Sequence, residues 1–519
     1  MGNAVKNIII LGGGSAGWLT AGLIASEHGI DRARGMNITL VESPDIPIIG
    51  VGEGTWPTMR RTLKKIGVSE SDLFKECEAS FKQGAKFEKW VNGTADDFYY
   101  HPLVEPLGYS DTELFYQWKN GEYNTSFGDA FCFQGHICEH GRAPKLITTP
   151  EYSGIANYAY HLNAYKLGEF LKKHCINKLG VNHVIDNVLK ACSHDNGDIA
   201  ALETENKGLL KADLFIDCSG LSSILLGKHY GIPFISKRHI LFNDSALAAQ
   251  VPYREPDDAI TSHTISTAQK NGWIWDIGLP SRRGVGHTYS SAHTSDEQAE
   301  IELRQYICHS LGEQRSAELS LRKISFEPGH REVFWHRNCV AVGMASGFLE
   351  PLEASALVLV EMAANRISEE MPANRTVMDI VSKRYNQRFL YNWDAIVDFL
   401  KLHYVLSKRT DSQYWLDNVS KESIPERLRE LMLLWRYQPP NRHDFPYAEE
   451  VFPSASWQYV LYGMGFNSSQ RPTRKAMNRS ALSDKYFRET QEFAARCVSK
   501  LPSNRELIDK IVQFGMQPV

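Results

Sequence analysis

Several residues in this chain have the types and spacing to do chemistry. Gly12-x-Gly14-x-x-Gly17 is followed 25 residues later by Glu42. In such a turn Gly12 permits a tight reversal, Gly14 lets backbone N–H groups approach a pyrophosphate, and Gly17 lets a helix pack closely on a strand. Ser15 and Ala16 then open that helix, whose N-terminus carries partial positive charge toward phosphates. Glu42 stands where a carboxylate takes a ribose hydroxyl. At this point FAD and NAD are both open. Lys82 follows Glu76 and Glu78. On its own such a lysine reads as a solvated helix-end charge. Glu350 and Glu353 precede a helical run, where a carboxylate serves as a base or simply favours the helix start. Trp273 and Trp275 share one face if their segment is a strand.

The elements that must position these residues follow from periodicity. Asn7 to Leu11 is a short apolar run suited to a buried parallel strand, Trp18 to Ser26 reads as a helix, and Asn37 to Val41 is a second strand ending on Glu42. That strand, glycine turn, helix, strand and acid together make the motif specific. Tyr165 to Cys175 reads as a helix. Leu210 to Ile216, His239 to Val251, Trp273 to Pro280 and Cys339 to Val342 read as strands. From Ser355 onward helical periodicity dominates, over Ala356 to Ile367, Val377 to Lys401 and Ser423 to Leu434. Ser423 and Glu426 have capping-box spacing. Prolines 439, 440, 446 and 453 then interrupt the chain. The fold class is α/β: a nucleotide-binding core with inserted sheet, then a helical region.

Composition bounds the function. The 519 residues are 43% hydrophobic and 23% charged, as in an ordinary globular chain of two or three domains. A net charge of −4 argues against nucleic acid as partner. Nine cysteines without a CxxC pair read as free thiols in a reducing compartment. No run of eighteen apolar residues predicts a membrane span. The N-terminus enters a strand without a cleavable leader, and Lys6 stands where a myristoylation signal has Ser or Thr. The expectation is a cytoplasmic protein with no metal site.

Gly50-Val51-Gly52-Glu53-Gly54-Thr55-Trp56-Pro57, Gly272-Trp273-Ile274-Trp275-Asp276-Ile277 and Gly347-Phe348-Leu349-Glu350-Pro351-Leu352-Glu353 follow the first glycine turn in that order. Together they resemble the flavin-dependent halogenases of the tryptophan halogenase type. The likeness extends through Leu402-His403-Tyr404 to Gly463-Met464-Gly465. It implies an FAD-binding, Rossmann-like core of the flavin monooxygenase kind over 1–353, with an inserted substrate-side sheet. A mainly helical region, 354–519, would complete the substrate site.

The resemblance implies that reduced FAD, dioxygen and bound halide yield hypohalous acid, which halogenates an aromatic ring. It places the catalytic lysine at Lys82 and the catalytic carboxylate at Glu353. Halide would bind the amides of Ser355 and Ala356, where the family's Ser-Thr-Gly is replaced by Ala354-Ser355-Ala356. Val51, Val188, Met344 and Leu357 would line the FAD site. Trp273 and Trp275 would keep the flavin side apart from substrate, although Gly278 stands where the family motif has proline. His101, Leu103 and Phe452 would line the ring pocket.

Tryptophan-specific members clamp the amino acid with paired tyrosines and acids. Here Asp444 to Trp457 has only Tyr447. An indole-like or larger aromatic substrate is therefore expected, and the altered Ala354-Ser355-Ala356 segment points to bromide, with chloride left open as the halide. Partners would be a separate NAD(P)H-dependent flavin reductase and a small arene, with a homodimer open. An aromatic hydroxylase is the first alternative; it lacks support because the chain has no Asp-Gly dipeptide, and Met344 stands where hydroxylases carry Asp. A non-catalytic flavin-binding protein is the second.

Overall fold

The computed structural model describes residues 4–29, 35–46, 52–121, 123–469 and 480–519. The chain forms two units interleaved along the sequence. One comprises Met1–Ala79, Leu162–Lys237 and Glu327–Trp393; the other comprises Ser80–His161, Arg238–Phe326 and Asp394–Val519. Each unit therefore draws segments from both sides of residue 353, rather than dividing once at 353/354.

The first unit is built on a six-stranded sheet. Its order is Trp335–His336, Cys339–Ala341, Leu214–Asp217, Asn7–Leu11, Asn37–Glu42, Asn182–Ile185. Asn7–Leu11 pairs in parallel on both sides, Ile9 facing Phe215 and Thr39. Its run of isoleucines is buried because helices cover a parallel sheet on its faces. Helix Ser15–His28 follows directly and packs on helices Ala164–Asn177 and Ser355–Glu369. Gly12 has φ +122°, and a Cβ there would lie 2.2 Å from the Cys218 carbonyl. At Gly17 a Cβ would lie 1.9 Å from the Gly12 carbonyl, so the helix can start only over glycine.

The second unit holds a seven-stranded sheet. Its order is Leu321–Ser325, Ser245–Pro252, Arg282–Tyr289, Gly272–Gly278, Thr264–Ala268, Gly84–Glu88, Phe98–Pro102. All seven residues of Gly272–Gly278 are buried. Ile274 joins Val285, Leu303 and Ile307 in the core under helix Asp296–Leu311. Trp273 and Trp275 occupy the opposite face, as the two-residue period requires. Among the described residues no helix is long and apolar enough to cross a membrane, and all nine cysteines are free.

Three expected elements differ. Leu210 to Ile216 is two strands, Gly208–Lys211 in a hairpin and Leu214–Asp217 in the parallel sheet. Asp213 breaks them apart because its carboxylate accepts the N–H groups of Lys6 and Asn7. The strand expected from His239 begins only at Ser245. Asn243 accepts from Tyr414, and Asp244 from the Ser291 N–H, so neither side chain sits as a ladder residue would. The helix expected from Ser423 is Glu426–Trp435, with Pro425 as its N-cap. Ser423 closes the preceding 3-10 turn, and its hydroxyl donates to the carbonyls of Asp417, Asn418 and Ser420 instead of capping.

One buried carboxyl ties two helices of the first unit. Glu361, on Ser355–Glu369, accepts from Thr62 Oγ1 at 2.6 Å and Thr58 Oγ1 at 3.1 Å, both from Thr58–Lys65. Burial pushes it up to about 7 against the two threonine hydrogen bonds, from an ordinary 4.5. Folding thus favours its protonated form. That contribution is complete below about pH 4.5 and is lost as pH rises through about 7. We expect Glu361→Gln to remove this loss, worth up to about 3 kcal/mol, so that wild type and variant diverge in stability between pH 5 and 8. Denaturant unfolding across that range checks it; parallel curves would refute it.

Candidate active site

A cavity of about 410 Å³ opens in the first unit at the ends of its parallel strands. Gly12, Gly14, Ser15, Ala16, Glu42, Val188, Met344, Ser355, Ala356 and Leu357 all line it. The residues expected at a dinucleotide and those expected at a halide therefore meet one space. Gly17 sits in the first turn of helix Ser15–His28, packed against the Gly12 carbonyl, and Val51 falls outside the described residues.

The donor set fits a dinucleotide. Gly14 is the N-cap of helix Ser15–His28 and has no side-chain cap, which leaves the first amides for a phosphate. A Cβ on Gly14 would meet nothing within 4 Å. Ser15 Oγ turns to the Ala164 carbonyl at 3.5 Å. Glu42 is held by His183 Nε2 at 2.8 Å and Lys172 at 3.4 Å, both on Oε2. Its other oxygen is left to accept a ribose hydroxyl.

Two contributors were not singled out from the sequence. Gly13 lies against Glu42, and a Cβ there would sit 2.3 Å from the carboxyl carbon. The Asp217–Gly220 turn supplies a second wall of the cavity. Asp217 is fully buried and accepts from the Ser219 hydroxyl and from the N–H groups of Ser219, Leu225 and Leu226. Its signal was present: a predicted strand running straight into Asp-Cys-Ser-Gly.

Glu353 is 8% exposed and lies just before helix Ser355–Glu369. It has φ 62°, and Ala354 has φ 55°. Two successive non-glycine residues in the left-handed region cost about 1–2 kcal/mol each. The helix they introduce has no side-chain cap and no acid in its first turn. Its first amides, including those of Ser355 and Ala356, are thus available to an anion.

Lys82 belongs to the second unit and is 4% exposed. Strand Ser80–Lys82 pairs antiparallel with Ala159–Leu162, Ser80 opposite His161 and Lys82 opposite Ala159. Alternation puts Ser80, Lys82 and His161 on one face, with His161 diagonal to Lys82. His161 Nε2 is 2.8 Å from Thr264 Oγ1. Burial first, then the charge of Lys82 and His263, hold its imidazole well below the ordinary value. His263 is pushed down to about 4 by burial and by Lys86. Both rings are neutral near pH 7, so the lysine's positive charge has no cationic imidazole beside it. Gln83 Oε1, His161 Nδ1, Ser262 Oγ and His263 Nδ1 are buried without a protein partner and keep their hydrogen-bonding capacity near this strand. Sequence reading missed His161 because it is brought in by strand pairing.

The aromatic candidates of the second unit form one chain of ring contacts. Trp275 meets Trp273 at 6.2 Å, Trp273 meets Trp90 at 6.2 Å, and Trp90 meets His403 at 5.9 Å. Phe399 joins His403 at 5.5 Å, His101 at 5.7 Å and Phe452 at 3.7 Å. Leu103 is fixed nearby in sequence by its backbone, which bonds Gln134 and Asn157. Gly278 is crowded: a Cβ would lie 3.0 Å from Ile260, and its carbonyl accepts from Ser80 at 2.5 Å.

Residues 7–479 match the family model described as tryptophan halogenase. A crystal structure of a tryptophan halogenase from Shewanella frigidimarina shares 46% identity and a TM-score of 0.96, covering 100% of this chain and 99% of that one. KtzR of Kutzneria sp., a 7-chloro-L-tryptophan 6-halogenase, is 32% identical over 97% of this chain and 99% of its own. RebH of Lentzea aerocolonigenes, a tryptophan 7-halogenase, is 31% identical over 80% of each.

Two glycines separate protein packing from ligand contact. Gly13→Ala should fold but displace Glu42, raising the FAD Kd about tenfold. Gly14→Ala should leave the thermal midpoint of the ligand-free protein unchanged, yet weaken FAD as well, because its methyl enters the cavity. Flavin titration and thermal unfolding of both variants check this; undiminished FAD affinity in both would exclude this turn as the phosphate site.

Proposed function

The chain belongs to the tryptophan halogenase family, and from that premise we propose an enzyme whose substrate is indole or a small indole-like arene rather than free tryptophan. It is a flavin-dependent halogenase, using reduced FAD, dioxygen and halide on an electron-rich aromatic. When bound, reduced FAD with dioxygen supplies the oxidation that turns halide into hypohalous acid. The transfer that follows balances as arene C–H plus hypohalous acid giving arene C–halogen and water.

In this reading the chain's residues act as follows. The Ser355 and Ala356 amides hold the halide. The Lys82 ammonium donates to the oxygen of hypohalous acid, so that the halogen becomes electrophilic and the departing oxygen leaves as water. Enclosure strengthens that hydrogen bond, and with His161 and His263 neutral the lysine is not opposed by a second positive charge. The Glu353 carboxylate stabilises the cationic ring and takes its proton. His101, Leu103 and Phe452 hold the ring, and Trp273 with Trp275 form the wall toward the flavin side. The reductase that supplies FADH2 is a separate protein, and the enzyme works in the cytoplasm, alone or as a homodimer.

The observation that carries the substrate reading is the segment Asp444–Trp457. Its Phe445, Phe452 and Trp457 are buried, whereas Tyr447 and Glu449 are exposed. Asp444 is engaged by Trp435 Nε1 and the Asn441 N–H. A clamp for ammonium and carboxylate discriminates only when its polar groups are buried against the ligand. Exposed ones give little selectivity for the amino acid.

Lys82→Ala should lower halogenation at least about 100-fold while FAD binding survives, because Lys82 stands in the other unit from the glycine turn. Product analysis with an added flavin reductase, NADH, FAD, bromide and indole measures it; near-normal turnover would take Lys82 out of the mechanism. Under the same conditions free indole should be converted at least as well as equimolar tryptophan, and faster in bromide than in chloride. A strong preference for tryptophan would overturn the substrate reading, and equal rates in the two halides the bromide one. Purified protein without reductase should oxidise no NADPH; substrate-stimulated NADPH consumption would favour a hydroxylase.

A further inference from the structure

The segment Thr55-Trp56-Pro57 has no part in the roles assigned so far, yet it reaches the two successive left-handed residues Glu353 and Ala354. Trp56 donates its indole Nε1–H to the carbonyl oxygen of Glu353 at 2.8 Å. That carbonyl belongs to the peptide joining Glu353 (φ 62°, ψ 10°) to Ala354 (φ 55°, ψ 42°). Neither side chain is of a kind that favours left-handed backbone, in contrast to Gly or Asn. Flipping this peptide would return Ala354 to negative φ and turn over the Glu353 carbonyl and the Ala354 N–H, the last peptide before the Ser355 and Ala356 amides. A hydrogen bond to its carbonyl opposes that flip directly.

The same segment holds the helix again further along. Thr58 and Thr62 both donate to Glu361, less than two turns into Ser355–Glu369. The uncapped helix start is therefore fixed from one neighbouring segment, by Trp56 just before its first amides and by two threonines beyond them. Nothing on the helix itself does this: Ala354 offers no capping side chain.

We propose that Trp56 is a positioning residue for the halogenation reaction. Its indole N–H locks the Glu353–Ala354 peptide, so that the Glu353 carboxylate and the Ser355 and Ala356 amides keep one fixed arrangement. The assignment rests on the roles read above for Glu353 and the amides. Aromatic bulk alone would pack this site; the Trp56 N–H on the carbonyl side, with the Ala354 N–H donating to the Pro351 carbonyl at 3.0 Å on the other, sets the peptide plane.

The test removes the donor and keeps the ring. Trp56→Phe should raise the halide KM about tenfold and lower kcat, with FAD affinity held at the wild-type value and the thermal midpoint lowered by no more than a few degrees. A merely structural residue would instead lose stability and flavin together. Adding Ala354→Gly to Trp56→Phe should recover much of the lost kcat/KM for halide, because glycine takes the left-handed conformation without strain. Wild-type kinetics in Trp56→Phe, or no recovery in the double variant, would overturn the proposal. If Trp56→Phe does not fold, Ala354→Val strains the same peptide from the other side; an unchanged halide KM there overturns it equally. Glu353→Gln, assayed in parallel, keeps the two readings apart: normal turnover would remove Glu353 from catalysis, while the effect of Trp56 on the halide KM is read from the amides alone.

Discussion

Backbone pressed against backbone is the constraint on which the first unit depends. The Gly12 turn meets the Cys218 carbonyl so closely that no side chain fits between them, and the helix start at Gly17 closes on Gly12 in the same way. These contacts bring two strand ends side by side, Leu11 and Asp217, where the parallel ladder finishes. A cavity at the carboxyl ends of parallel strands is the result, with the amides of one helix and the Asp217 turn around it. Asp217 stabilises its own turn through four hydrogen bonds while fully buried. A carboxylate spent in this way has no capacity left for a ligand; it shapes the wall rather than binding across it.

Charge is placed economically around the reacting groups. Helices Ser15–His28 and Ser355–Glu369 start at Gly14 and Ala354 without side-chain caps. Some other helices are capped, by Ser69, Asn163, Ser295 or Ser503, while those that begin at Pro57, Pro425 or Pro453 are not. Where a ligand is to supply the acceptor, a capping side chain would compete with it. Lys82 represents the opposite problem, a cation drawn into a buried strand. The neighbouring imidazoles respond by staying neutral, since a second positive charge in that enclosure would have to be desolvated as well.

In the second unit the same economy takes an apolar form. The ring contacts from Trp275 to Phe452 run through His403, whose Nδ1 is 2.6 Å from the Tyr99 hydroxyl. This bond orients one of the two imidazoles in an otherwise aromatic series. Rings stacked and edged in this way resist rearrangement because each has few rotamers and many partners.

Much of the dinucleotide half was legible before any coordinates. Gly12, Gly14, Ser15, Ala16 and Glu42 lie on a strand–turn–helix–strand whose signals are local: apolar runs of strand length, glycines at fixed offsets, a helical period. Met344, Leu357, Ser355 and Ala356 were reached only through resemblance, and the structure puts them on the same cavity. What tertiary structure alone decided is of longer range. Trp56 meets Glu353 across 297 residues, and His161 comes to the face of Lys82 by antiparallel pairing. Residue 353 marks no boundary, because strands and helices from both sides of it share each unit. Ser423 was misread as a cap for a related reason: its hydroxyl found three carbonyls in the turn before it. A pattern of period two or 3.6 says which face of an element is buried. Which distant element covers that face, and therefore which indole reaches which carbonyl, is settled only when the sheets pair and the helices pack.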